Sequence, residues 1–209
     1  MNLMRTMPPK EAIKISGISL YLFKEIFFME KNMPVDCTFM LSPMSDNYID
    51  IILGGLAKLD SSKVNAKTQR LGTRYSGPYE SVTDAVFACF IYAFCPDVHM
   101  TLDAIITPSE KEGYSEGGRP NEKEISEIDF DAESRFLICA DEKTAVFQKA
   151  KELAQKEGIY EGETLGSPYL KGSILKIRGF YLEFLKYLEA QNTDYVLHIT
   201  LSVNSPSGE

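Results

Sequence analysis

The chain of 209 residues has no tryptophan, only two histidines and four cysteines, and each scarcity narrows what it can do. Neither His99 nor His198 has a histidine four residues away, so no helical metal-binding pair exists. Cys37, Cys89, Cys95 and Cys139 form no C-x-x-C pair, which speaks against a zinc site and for buried, reduced thiols. No stretch reaches the ~20 apolar residues of a membrane span. The nearest candidate, Ile18 to Met29, carries Lys24 and Glu25 and lacks a signal-peptide cleavage site. The expectation is a cytoplasmic protein that is not membrane-embedded. No P-loop, GxGxxG, nucleophile elbow or Ser-His-Asp order is present, so no motif points to an enzyme. Cations are outnumbered too. The net charge of −8 argues against nucleic acid or an anionic membrane and favours neutral or cationic ligands.

What the chain does have is a hydrophobic fraction of 44%, ample for a core, and a pattern that reads as an internal repeat. His99-Met100-Thr101-Leu102 resembles His198-Ile199-Thr200-Leu201. Leu71-Gly72-Thr73-Arg74-Tyr75-Ser76-Gly77 resembles Leu165-Gly166-Ser167-Pro168-Tyr169-Leu170-Lys171-Gly172 with one insertion, and Phe39 matches Phe136. On this reading the two histidines hold matching places in two copies of a unit of ~70 residues.

The first copy reads β-α-β-β-α-β. Asp36 to Leu41 is a strand. A helix capped by Ser45 or Asp46 follows, with Tyr48, Ile51, Ile52, Leu56 and Leu59 on one face. Val64–Thr68 and Leu71–Ser76 are short strands, ended by Gly77-Pro78. Ser81–Phe94 is a helix apolar nearly all round, which suggests a subunit or lobe interface, and Val98–Thr107 is the last strand. The second copy repeats the order: strand 135–139, helix 142–157, hairpin 159–170, helix 174–190 and strand 195–203. Such a unit is ferredoxin-like (ACT-like), so the expected class is α+β, a tandem duplication with antiparallel sheets. The divisions are an N-terminal extension at 1–34, repeats at 35–108 and 134–209, and an acidic, Gly-containing linker at 109–133 expected merely to be solvated.

Alternation places the candidate chemistry. His198, Thr200, Ser202 and Asn204 share one strand face, and His99, Thr101 and Asp103 share another. If helices cover the apolar side, these polar groups stand on the far side of a rigid sheet, suited to a polar small molecule. Three readings stay open: a ligand-binding module, an enzyme using His99 or His198 as acid or base, and a regulatory or interaction domain that binds no metabolite.

Three segments add a family resemblance: Phe39-Met40-Leu41-Ser42-Pro43-Met44-Ser45-Asp46, Asp60 to Thr68, and Leu201-Ser202-Val203-Asn204-Ser205-Pro206-Ser207. In order, and with the duplication, they resemble the YkoF-like proteins that bind thiamine and its hydroxymethylpyrimidine precursor. The resemblance implies a homodimer with a binding rather than catalytic role, no cofactor, and a link to vitamin uptake or salvage through a precursor transporter. With the sheet-face residues it gives a candidate ligand set: Ser42, Met44, Asn65, Thr68, His99, Thr101, Asp103, His198, Thr200, Asn204 and Ser205. The first copy keeps Pro43-Met44 and Ser62-Lys63-Val64, which favours it as the better site.

Overall fold

Alternation builds the strands. Val35, Cys37 and Phe39 are buried in β1 (Pro34–Pro43), whereas Asp36, Thr38 and Met40 between them are not. The same period of two runs through β4 (Met100–Pro108), β5 (Asp131–Ala140) and β8 (Tyr195–Val203). The computed structural model describes residues 34–109, 114, 116–164, 166–191 and 194–206. The expected N-terminal extension, apart from Pro34, lies outside the described residues.

The remaining elements are α1 (Tyr48–Leu56), β2 (Asn65–Gln69), β3 (Gly72–Pro78), α2 (Tyr79–Tyr92), α3 (Glu122–Ile125), α4 (Lys143–Glu157), β6 (Tyr160–Thr164), β7 (Ser167–Ser173) and α5 (Ile174–Gln191). Apart from α3, they form the order β-α-β-β-α-β twice. Every strand pair is antiparallel, and the eight strands form one sheet, β2-β3-β1-β4-β8-β5-β7-β6. The expected α+β class is the one observed. The two four-stranded sheets are additionally joined edge to edge by the β4–β8 ladder, which hides two edges that would otherwise stay unpaired.

The ladders fix a repeat register that differs from the one read in the sequence. β4 begins at Met100 and β8 at Tyr195, 95 residues apart. The same separation relates α1 to α4, β2 to β6, β3 to β7 and α2 to α5, while β1 and β5 are 97 apart. Pairings agree: Met40 opposes Asp103, and Leu137 opposes His198. In this register His99 corresponds to Asp194, and His198 to Asp103. The two histidines are therefore not equivalent.

The apolar helix α2 is buried on almost every side, and its surroundings lie within this chain. Phe87 packs 5.8 Å from Tyr181 of α5, and Phe90 lies 6.2 Å from Phe130. At its C-terminal end, a Cβ on Gly55 of α1 would come within 3.1 Å of Ala93, so glycine permits that close approach. The helix is thus a joint between the repeats. Ser45 does not cap α1 as expected; its Oγ accepts the Asn47 amide one turn earlier.

The segment expected to be a solvated linker is partly core. Ile125 is fully buried, and Phe130 stacks on Phe94 at 3.8 Å and 8°. Asn121 is buried, donates from its side chain and backbone to Asp84 Oδ2, and accepts the Asp60 amide. Asp84 in turn accepts from Arg178 of α5 at 3.0 Å. Acidic composition concealed an apolar set, Ile125, Ile128 and Phe130, that docks on the helix layer. Asp131 to Glu133 belong to β5 rather than to a connection. The thiols also divide: Cys37 and Cys89 are buried, but Cys139 is exposed.

Candidate functional site

The helices cover one face of the sheet, and the other is open. Cross-strand pairing arranges its side chains in rows. One row runs Ser42–Thr101–Ser202–Glu133–Lys171, and the next runs Met40–Asp103–Thr200–Arg135–Tyr169. A third runs Lys67–Arg74–Thr38–Ile105–His198–Leu137. Alternation thus delivers the polar face expected from sequence, but with apolar insertions. Met40, Ile105, Leu137 and Val196 are each about half exposed there.

The candidate residues fall into groups. Ser42, Met44, His99, Thr101, Asn204 and Ser205 gather at the end of the face where β1 and β8 finish and β4 starts. The His99 carbonyl accepts the Met44 amide at 2.8 Å, and His99 Nε2 lies 3.2 Å from Ser202 Oγ. Asp103, His198 and Thr200 occupy the centre. Thr200 Oγ1 donates to Asp103 Oδ1 at 2.9 Å, and His198 Nε2 lies 3.5 Å from the same oxygen. Asn65 is at the far end, opposite Ser76. Thr68 is brought to neither group. It opposes Thr73, which pairs with buried Phe39, so it belongs to the helix side of an edge strand.

Asn204 has a structural duty. It sits at φ 54°, a region asparagine tolerates, and its amide donates to the carbonyls of Cys95 and Val98. It thereby fastens the end of β8 to the turn before β4.

A cleft of about 210 Å³ opens beside this fastening, lined by Asp131, Glu133, Lys171, Ser202, Asn204 and Ser205 among others. Glu133 and Lys171 face each other at 3.3 Å. A hydrogen bond from Tyr169 holds the Glu133 carboxyl below its ordinary value, against the effect of burial, with help from Lys171. The cleft therefore offers an ionised carboxylate, an ammonium and the Ser202 hydroxyl on strands, with the Ser205 hydroxyl just beyond the end of β8. Asp131, Glu133 and Lys171 were missing from the sequence-derived set. The signal existed: Asp131-Ala132-Glu133-Ser134-Arg135-Phe136 alternates as a strand must.

Comparison with known proteins bears on this face. Residues 34–108, the whole first β-α-β-β-α-β unit, match the YKOF-related family. A protein of Bacillus subtilis (strain 168) named "Putative HMP/thiamine-binding protein YkoF" is 25% identical over 179 residues, covering 81% of this chain and 90% of that protein. The chain is similar to the YkoF-like family across its first unit and, at lower identity, along most of its length. The matched unit lies on β1 to β4, whereas the cleft beside Glu133 lies in the second unit. Among its described residues no helix is long and apolar enough to cross a membrane.

Proposed function

We propose that this chain binds thiamine or its hydroxymethylpyrimidine precursor at the β5–β7–β8 end of the open sheet face, without catalysing a reaction. The observation that carries this reading is the cleft holding Glu133 beside Ser202 and Ser205. An aminopyrimidine presents N–H donors next to ring-nitrogen acceptors. A carboxylate accepts from the amine, and hydroxyls can donate to or accept from the ring. The volume of about 210 Å³ falls below the about 300–1,000 Å³ of sites for drug-sized ligands. It suits one ring with its substituents, leaving the rest of a two-ring ligand across Thr101, Ser42 and His99. The excess of negative charge favours a thiazolium over an anion.

The experiment is calorimetric titration with thiamine and with hydroxymethylpyrimidine, on the wild type and on Glu133→Gln. Loss of a charge-assisted hydrogen bond should weaken binding by about 1.5–3 kcal/mol. Undiminished binding by the variant sinks the assignment of the cleft.

The biological setting belongs to the same proposal: a cytoplasmic protein serving vitamin uptake or salvage beside a precursor transporter, active as a homodimer. Support for the dimer comes from the half-exposed Met40, Ile105, Leu137 and Val196, a patch lying across the palindromic strand order, so that a second copy can cover it. Leu137→Glu should then shift light scattering from dimer to monomer.

The contact between His198 and Asp103 favours a second reading, an acid–base enzyme. Both side chains are nearly half exposed, and the pair lies outside the cleft. Ligand turnover abolished by His198→Gln would establish that reading in place of binding.

A further inference from the structure

The ladders make the two ends of the open face comparable residue by residue. Glu133 opposes Lys171 and Ser202; at the equivalent positions Asp36 opposes Ser76 and Thr107. Each first strand therefore carries one carboxylate in the same place. What surrounds the two carboxylates differs. Asp36 is clasped by Arg74, through Nη2 on one oxygen and Nε on the other, and accepts the Ser76 hydroxyl as well. Ser109, just beyond β4, also hydrogen-bonds to Asp36, and its Oγ lies 3.4 Å from the Tyr114 hydroxyl. Position 74 corresponds to Tyr169 in the second unit, whose hydroxyl hydrogen-bonds Glu133 but brings no positive charge to it. Glu133 meets instead one ammonium, at 3.3 Å, from a Lys171 side chain that is 49% exposed against 29% for Arg74.

We propose that Arg74 fills, in the first unit, the place that the ligand's cationic or amino group takes in the second, so that the chain binds a single ligand, at Glu133. The inference rests on the reading given under Proposed function. A planar guanidinium on both oxygens of a carboxylate is hard to displace, because two parallel hydrogen bonds must break together. A lysine ammonium is a point charge on a flexible stem and swings aside at little cost. The hydrogen bonds from Ser76 and Arg74 overcome burial and keep the Asp36 carboxyl below its ordinary value, so it remains ionised for its internal partner. Family motifs in the first unit favoured that copy in the sequence; the occupied carboxylate reverses the order.

The test counts ligands per chain, by native mass spectrometry and calorimetry, with thiamine as the probe. The wild type should bind one. Glu133→Gln should lose about tenfold or more in affinity, as loss of a charged hydrogen bond requires. Asp36→Asn should stay within about twofold of wild type. Arg74→Gln, shown folded by circular dichroism, should bind two. Two thiamine molecules on the wild type, equal losses from Asp36→Asn and Glu133→Gln, or one ligand on folded Arg74→Gln would each overturn the plug. If the wild type binds neither thiamine nor hydroxymethylpyrimidine, the binding reading itself falls and the plug with it; a two-site wild type removes only the plug.

Discussion

Asp103 and His198 are equivalent residues of the two units, and they meet: Nε2 of the histidine lies 3.5 Å from Oδ1 of the aspartate across the β4–β8 ladder. The strand order is palindromic about that ladder, so equivalent positions near its centre become neighbours. Only one member of the pair is a histidine, and this breaks the symmetry at its midpoint.

Exposure limits the energy of this contact. Side chains 42% and 49% exposed are screened by water, and surface ion pairs contribute about 0–1 kcal/mol. A double-mutant cycle of Asp103→Asn and His198→Gln, read by urea denaturation at a dilution that keeps the chain monomeric, should give a coupling below about 1 kcal/mol. A coupling above about 2 kcal/mol would contradict the reading of an open, solvated sheet centre.

The opposite prediction holds for Asp84 and Arg178. This pair is buried between the two units, and Asp84 also receives the Asn121 amide and side chain. Removing one partner strands the other charge away from water. Asp84→Ala should cost about 3–5 kcal/mol in urea unfolding. A loss below about 1 kcal/mol would show that the joint between α2, α5 and the connecting segment does not depend on this network.

Glu189 gives a prediction about pH. Burial raises its carboxyl above the ordinary value of 4.5, opposed by the hydrogen bond from Tyr195. Its second oxygen, Oε2, is buried without a hydrogen-bond partner. The folded state thus keeps this proton to higher pH than the unfolded chain does. Below the unfolded value both states are protonated, and there is no penalty. As pH rises from the unfolded to the raised folded value, stability is lost, and the loss is complete above the latter. Glu189→Gln should therefore stabilise the protein at about pH 7.5 but not at about pH 4, by ~2–4 °C in Tm for each kcal/mol recovered. The same Tm difference at both pH values would contradict this assignment.

The fold was legible because its signals are local. Val35, Cys37 and Phe39 alternate with polar residues, Gly77-Pro78 ends a strand where a helix starts, and α2 is apolar around most of its circumference. The repeat register was not legible. Aligning His99 with His198 slips β4 four residues against β8, and a slip of an even number keeps every side chain on its proper face. Alternation cannot detect such an error; only the hydrogen-bonded ladders do. Half of the candidate site suffered differently. Ser42, His99 and Thr101 were found from strand alternation and family motifs, but Glu133 was placed in a connection whose acidic composition outweighed its period of two. Its partner Lys171 lies on another strand, and sequence spacing carries no trace of that pairing.

Binding at the β5–β7–β8 end of the open face makes a residue-specific prediction. An amide chemical-shift titration of the ¹⁵N-labelled protein with thiamine tests it most directly. Glu133, Lys171, Ser202 and Ser205 should shift in a saturable way, with smaller changes at Thr101 and Ser42, while Asp36, Arg74 and Ser76 stay still. Shifts confined to the helix layer, or centred on Asp36 instead of Glu133, would contradict it.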